Sequence, residues 1–224
     1  MSLRAESSVN RRIIGAYHVA TFPHWSVIAE AQCLRVNRSG LLDKTSKILV
    51  GVVGDPNEDV SMLSDLLGPS AVVRHLGPLS SFEFPTLQWL YEEVQDDNFA
   101  CWYIHTKGAS ARRADQTVSR LKMESVILDQ HERCLDVLKT HDTCGTGWTF
   151  ALIGQHPHYA GNFWWANSRY LRTLPAPSTL LTSNRHNHVG PPALAVTSSN
   201  FGRGEAELWI GRNQRIRPFN VVAD

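Results

Sequence analysis

Short apolar runs alternate with longer stretches of helical spacing along most of the chain. The apolar runs lie at residues 13–21, 48–53, 99–104 and 149–154, and a weaker strand pattern lies at residues 72–76. Stretches with apolar side chains every three or four positions lie at residues 25–41, 59–67, 83–94, 113–139 and 168–174. Continuous apolar runs are typical of parallel strands that are covered on both faces. The pattern therefore predicts an α/β fold in which a mostly parallel central sheet is flanked by helices.

Polar residues stand at the ends of two of the predicted strands. The run FACWYI leads directly into HTKG, which begins at His105, and the first run has Tyr17 and His18 near its end. Open α/β sheets bind their ligands outside the carboxyl ends of the strands. We therefore expect FACWYI to be an inner strand and HTKG to lie at the ligand edge. The alternative for HTKG is an ordinary solvated loop.

An aromatic segment, GNFWWAN, begins at Gly161. Neighbouring side chains of a strand point to opposite faces, so we expect at least one ring of the Trp164–Trp165 pair to be available to a ligand. Such rings stack on sugars while their N–H groups still form hydrogen bonds. Gly161 allows close backbone approach, and Asn162 and Asn167 carry amides suited to hydroxyl groups. The alternative is a buried aromatic cluster.

Length, composition and charge indicate one globular domain. The chain has 224 residues, of which 42% are hydrophobic and 19% are charged, and its formal net charge is +1. This predicts a single domain over residues 1–224, with a flexible N-terminus at 1–12 and a long loop at 176–200. A nearly neutral chain does not indicate a nucleic-acid partner.

The cysteines and the apolar runs bear on the cellular compartment. Cys33, Cys101, Cys134 and Cys144 lie far apart without a CxxC motif, which predicts free thiols in a reducing compartment. The polar start has no signal-peptide pattern, and no apolar run is long enough for a membrane span. We expect a cytoplasmic protein.

Several pieces of the sequence together resemble a known enzyme family. The pieces are AYHVAT, ILVGVVGD, EFPTL, YIHTKG, DTCGTGW, HYAGNFWWANSRYLRTLP and EAELWIG. They resemble small glycosyltransferases of the GT-A fold, typified by the first domain of a multidomain sugar transferase of chlorella viruses, which are large algal viruses. The resemblance implies transfer of a sugar from a nucleotide-diphosphate donor to a glycan acceptor, in polysaccharide or glycoprotein glycan synthesis.

On the donor side, the resemblance places the nucleotide over the ends of the first strands. It implies that Tyr17 and His18 stack on the base and that Asp55 reaches the ribose. Most GT-A enzymes carry Asp-x-Asp after the central strand, where it holds a divalent metal on the diphosphate. Here that place reads HTKG.

The missing Asp-x-Asp leaves metal dependence open. The ammonium of Lys107, next to Gly108 in the same motif, offers a substitute for the metal at the leaving diphosphate. His105 would bond a phosphate oxygen or act as a single metal ligand. The alternatives are therefore a metal-free enzyme and a manganese or magnesium ion held mainly by the donor.

On the acceptor side, the resemblance places the aromatic segment under the acceptor glycan and an acidic motif beside it. The implied acceptor-binding residues are Gly161, Asn162, Trp164, Trp165 and Asn167. Glu205 is the preferred catalytic base of an inverting reaction, and Glu207 is the alternate. Both glutamates also fit solvent-facing positions of a strand.

A second hypothesis is a non-catalytic glycan-binding module. It would use the rings of Trp164, Trp165 and Trp209 to stack on sugars and would not bind nucleotides.

Overall fold

The computed structural model describes residues 11–95, 98–110, 113–150, 157–183 and 201–222. Within these residues the strands are β1 (Ile13–Ala20), β2 (Thr45–Val53), β3 (Ala71–Gly77), β4 (Ala100–His105), β5 (Thr143–Gly145), β6 (Trp148–Thr149), β7 (His158–Tyr159), β8 (Trp164–Asn167) and β9 (Pro218–Asn220). The α-helices are α1 (Trp25–Arg38), α2 (Leu41–Lys44), α3 (Ser61–Leu67), α4 (Phe84–Glu93), α5 (Ala114–Glu124), α6 (His131–Val137), α7 (Ser168–Leu171), α8 (Pro177–Ser183) and α9 (Phe201–Leu208).

One central sheet has seven strands in the order β3-β2-β1-β4-β8-β5-β9. Strands β1 to β4 are parallel to their neighbours in this group, and β5 is parallel to β9. Strand β8 is antiparallel to both β4 and β5. The predicted α/β fold with a mostly parallel, Rossmann-like sheet is confirmed, and FACWYI supplies an inner strand as predicted.

Helices cover both faces of the sheet. Apolar residues of α1, α3 and α5 pack on one face, and those of α4, α7 and α9 pack on the other. Because both faces are covered, the inner strands are apolar without alternation, which is the pattern seen in the sequence. Pro85 stands in the first turn of α4, where its missing N–H costs no helical hydrogen bond.

Three predicted elements differ from the structure. The helix predicted over residues 113–139 is interrupted by a π-helical turn, Ser125–Asp129. Within this turn, the carbonyl oxygen of Ile127 accepts a hydrogen bond from the indole N–H of Trp165 at 2.8 Å. The turn predicted at DTCGTGW contains β5, which is too short to leave a periodic signal. Helix α8 occupies part of the predicted loop at 176–200. Residues 1–10, 151–156 and 184–200, which include the remainder of that loop, lie outside the described residues.

The chain order reverses between β1 and β4. From β1 the chain passes through α1 to β2 on one side, whereas β4 lies against the other side of β1. His18 and His105 are register partners across this pair. Such a switch point opens a crevice outside the carboxyl ends of the strands, where ligands of α/β sheets bind.

Candidate functional site

A cleft lies at this switch point. Residues 105–110, which end β4 and follow it, form much of its wall. The rest of the wall includes His18, Phe22, Phe82 and Glu83. The polar motif after the inner strand, which the sequence predicts to be at the ligand edge, therefore lines this cleft.

Hydrogen bonds hold the HTKG motif against β1. The backbone N–H of Thr106 donates to the carbonyl of His18 at 3.1 Å, and its hydroxyl accepts from the N–H of Ala20 at 3.0 Å. Lys107 follows as a half-buried residue of the cleft wall. Within the described part of the chain its ammonium makes no ion pair, and its stem passes beside Gly161. A cleft ammonium that makes no ion pair is available to an anionic ligand, although the carboxylate of Glu83 lines the same cleft.

The two histidines of the cleft are held in different ways. Nδ1 of His18 lies 2.8 Å from the hydroxyl of Thr86, and burial lowers the pKa of His18 to about 4, against the opposing charge of Glu83. His18 is therefore neutral at neutral pH. Nε2 of His105 lies 2.9 Å from the carbonyl oxygen of Gly161. A carbonyl only accepts, so Nε2 of His105 carries a hydrogen.

Glu83 is a site residue that the sequence did not reveal. It is buried at the start of α4, and Oε2 accepts hydrogen bonds from the hydroxyl of Tyr103 at 2.7 Å and from the amide of Asn162 at 2.6 Å. Oε1 lies 3.9 Å from Nδ1 of His105. In the sequence an acidic residue before a helical proline indicates only a favourable helix start. No local signal distinguishes a carboxylate that enters the cleft.

Backbone strain accompanies this carboxylate. Phe82, directly before Glu83, has φ of 49°, and Asn162, which binds Glu83, has φ of 56°. Residues with side chains adopt such conformations at a cost of about 1 kcal/mol or more, and they are concentrated at ligand sites. The strain is consistent with a site whose geometry is imposed by the surrounding fold.

The two tryptophans of the aromatic segment are not available to a ligand. The rings of Trp164 and Trp165 point to opposite faces of the sheet, as predicted, but both are 0% exposed. β8 is an inner strand, so helices cover both of its faces. Trp164 stacks on Tyr103 with ring centroids 5.0 Å apart. The prediction of an open ring is therefore wrong, and the alternative of a buried aromatic cluster is correct.

The asparagines of that segment serve the protein itself. The side-chain amide of Asn162 bridges Glu83 and Trp164. Its N–H donates to Glu83, and its oxygen accepts a hydrogen bond from the indole N–H of Trp164 at 2.8 Å. Asn167 donates to the carbonyl oxygens of Leu138 and His141. The expectation that these amides face an acceptor glycan is therefore not met, because their hydrogen-bonding groups are largely used inside the fold.

Two residues predicted to bind the nucleotide donor, Tyr17 and Asp55, do not line the cleft. Tyr17 is buried on the opposite face of the sheet from His18, and its hydroxyl donates to the amide oxygen of Gln32 at 2.8 Å. Asp55 is exposed, binds the backbone N–H of Asn57 at 2.9 Å, and is not among the residues that line the cleft. The alternation of a strand explains the first error, since adjacent residues cannot both enter one crevice.

The acidic pair after the long loop lies on a helix. Glu205 and Glu207 belong to α9, so the alternative that they occupy solvent-facing positions of a strand is wrong. Glu205 is engaged by Arg212, with Oε2 2.5 Å from Nη2. Glu207 accepts a longer bond, 3.4 Å, from the N–H of Gly161. Glu207 also acts electrostatically on Tyr103, which binds Glu83. Burial raises the pKa of the Tyr103 hydroxyl well above its usual value, and the negative charges of Glu83 and Glu207 raise that pKa further. Glu207, and not Glu205, is therefore the member of the pair near the site.

Comparison with known proteins gives a family. The family model described as Domain of unknown function (DUF8361) matches residues 24–224. The chain belongs to the DUF8361 family. No curated protein matches it. Among solved structures, 4-diphosphocytidyl-2C-methyl-D-erythritol synthase is similar with a TM-score of 0.44 and 10% sequence identity, over 96% of this chain and 89% of that chain. A likeness at that TM-score carries no conclusion about function.

Within the ranges that the structure describes, this DUF8361 chain offers no complete set of protein ligands for a metal ion. Among the described residues, no group of three or more His, Cys, Asp or Glu side chains is placed to hold a metal ion. All four cysteines are buried and free, as predicted. No described helix is both long and apolar enough to cross a membrane.

Proposed function

We propose that this DUF8361 protein is a GT-A-type glycosyltransferase that moves a sugar from a nucleotide-diphosphate donor to a glycan acceptor in polysaccharide or glycoprotein glycan synthesis. The observation that carries the proposal is the position of Lys107. Lys107 lines the switch-point cleft of β1 and β4, and its ammonium makes no ion pair with any described residue. The resemblance of the HTKG and GNFWWA motifs supplies the sugar-nucleotide chemistry.

In the proposed donor complex, Lys107 binds the diphosphate. An ammonium beside the leaving group offsets the negative charge that develops there as the bond to the sugar breaks. Phe22 takes the role first assigned to Tyr17, because its ring is on the cleft wall whereas the ring of Tyr17 is on the other face of the sheet. His105 and Gly108 complete the wall beside the phosphates.

For the acceptor step, we assign the base to Glu207 in preference to Glu205. An inverting transfer needs a carboxylate that takes the proton of the acceptor hydroxyl. Glu205 is held by the guanidinium of Arg212, so its carboxylate already has a partner within the protein. Among contacts with described residues, Glu207 has only the long bond from the N–H of Gly161, on the segment that the resemblance places under the acceptor.

The glycan-binding alternative has no observation in its favour. The rings of Trp164, Trp165 and Trp209 are each 0% exposed, so none presents a face to a sugar.

The proposed function is tested with nucleotide sugars based on UDP, GDP and dTDP. We expect one base series to raise the thermal unfolding midpoint, since a ligand that binds only the folded state stabilises it. We also expect slow hydrolysis of the same donor, measured as released nucleoside diphosphate. Absence of both effects across all three series would overturn the proposal.

A further inference from the structure

We propose that Glu83 recognises a hydroxyl group of the sugar that is transferred, which would make it a specificity-determining residue. The inference rests on the proposed function, because it assigns a role within the same cleft.

The two oxygens of Glu83 have different surroundings. Oε2 is occupied by two short hydrogen bonds, from Tyr103 and Asn162. Oε1 has no hydrogen bond from any described residue, and Glu83 is only 6% exposed while it lines the cleft. Oε1 is not among the buried polar atoms that lack a partner, so it reaches the open space of the cleft. A ligand hydroxyl that enters the cleft would supply the missing donor.

The fold holds this carboxylate in place from several sides. Tyr103 is on β4, and its ring is stacked on Trp164 of β8, while Asn162 precedes β8. Glu83 itself begins α4 after the strained residue Phe82. A carboxylate fixed by three separate elements is preorganised, so a substrate that binds it does not have to order the side chain first.

The charge of Glu83 indicates which part of the donor it faces. A carboxylate repels phosphate groups, whereas Lys107 attracts them, and both residues line the same cleft. Among the ion pairs of the described residues, none joins Glu83 to Lys107. The cleft therefore has a cationic part for the diphosphate and an anionic part for an uncharged, hydroxyl-bearing group. In a nucleotide sugar two such groups flank the diphosphate, the ribose and the transferred sugar. We assign Glu83 to the transferred sugar, and a contact with the ribose would instead change the affinity for the nucleoside diphosphate alone.

Recognition suits Glu83 better than proton abstraction. Oε2 is filled by two donors of the fold, which hold the carboxylate in one position as an acceptor for a ligand hydroxyl. The role is thus separate from that assigned to Glu207.

The experiment compares a nucleoside diphosphate with its sugar derivative by calorimetry. The probes are UDP and UDP-glucose, GDP and GDP-mannose, and dTDP and dTDP-rhamnose, each with wild-type protein and with Glu83→Gln. The glutamine keeps an oxygen for Tyr103 and Asn162 but turns a donor toward the cleft. We expect Glu83→Gln to bind the nucleoside diphosphate like wild type and to lose roughly ten- to hundredfold of the affinity contributed by the sugar.

A second variant, Tyr103→Phe, keeps the stacked ring and the charge of Glu83 and removes one of its two donors. We expect part of the sugar-dependent affinity to be lost, and this variant decides the matter if Glu83→Gln fails to fold. Equal sugar-dependent affinity in wild type and the folded variants would overturn the role of Glu83 and leave the proposed function standing. Wild-type protein that binds none of the six probes would overturn both.

Discussion

At the scale of single residues, the first prediction concerns the binding of the donor diphosphate by Lys107. Lys107→Ala removes the ammonium that we assign to the diphosphate, and we expect nucleotide-sugar affinity to fall by about one to two decades, which corresponds to about 1.5–3 kcal/mol. Calorimetry with the active donor measures the change. Lys122→Ala is the matched control, because Lys122 is an exposed lysine of α5. Unchanged donor affinity in a folded Lys107→Ala protein would remove the phosphate role.

The acidic pair gives a second prediction. Glu207→Gln should retain donor and acceptor binding and lower kcat by about two to four decades, the usual effect of a positioned general base. Glu205→Gln is the control on the same helix, and it should leave kcat within a few-fold because it only weakens the contact with Arg212. Initial rates against varied acceptor, with saturating donor, separate kcat from KM. If Glu205→Gln abolishes turnover and Glu207→Gln does not, the two assignments exchange.

The sequence predicted some site residues because their signals are local. HTKG stands directly after a continuous apolar run, so the topology of an α/β sheet places it at the ligand edge. Glu83 gave no such signal, since its partners Tyr103 and Asn162 are distant in the chain and meet it only in the folded sheet. Tyr17 was assigned to the wrong face because the pattern of a strand covered on both sides does not show which face carries the ligand.

At the scale of elements, the segment around β8 also depends on contacts between distant parts of the chain that the sequence does not show. Its four residues do place adjacent tryptophans on opposite faces, as period-two geometry requires. The sequence does not show that β8 lies between β4 and β5, and this position is what buries both rings. Strands β1, β2 and β4 were predictable because each is an apolar run followed by a helix. The antiparallel insertion of β8 depends on pairings between distant parts of the chain.

Close packing between the parallel strands β1 and β4 gives a third prediction. A Cβ added to Gly15 of β1 would lie 2.2 Å from Cζ2 of Trp102 on β4, and the indole is fully buried. Gly15→Ala should therefore lower the free energy of unfolding by about 1–3 kcal/mol, measured by chemical denaturation.

A double-mutant cycle identifies the cause of that loss. Trp102→Phe alone should destabilise the protein, since it leaves space and removes the indole's bond to Thr45. In combination with Gly15→Ala, the smaller ring makes room for the added methyl group. The double variant should then be more stable than the sum of the single changes implies. Additive effects would show that the clash is not the reason for the glycine.

At the scale of the whole molecule, a fourth prediction concerns divalent metal. The place after β4 holds His105, Thr106 and Lys107, and the described residues contain no metal-binding group of three or more side chains. We expect donor hydrolysis to persist at least in part in EDTA, because the ammonium of Lys107 remains beside the diphosphate. Complete loss in EDTA that manganese restores would reject the metal-free version. It would indicate an ion held mainly by the donor phosphates and water.

The last prediction concerns the stability of the whole fold in acid. Burial lowers the pKa of His18 to about 4 in the folded protein, and the nearby His105 lowers it further while Glu83 opposes the shift. In the unfolded chain a histidine titrates near pH 6.5. As the pH falls below about 6.5, the unfolded chain binds a proton that folded His18 does not, so the free energy of unfolding decreases. The decrease continues to about pH 4 and amounts to about 3 kcal/mol for this residue.

Chemical denaturation at a series of pH values between about 7 and about 4.5 measures this slope. His18→Gln removes the titrating group and should flatten the slope, even if the variant is less stable at neutral pH because the contact with Thr86 changes. His75→Gln is the matched control, since it removes an exposed histidine at the end of β3. The buried His131, whose pKa is also lowered by burial, adds to the slope in both variants and in the wild type. If His18→Gln keeps the full wild-type slope, the acid sensitivity of the fold has another source, and a neutral, buried His18 in the cleft is not supported.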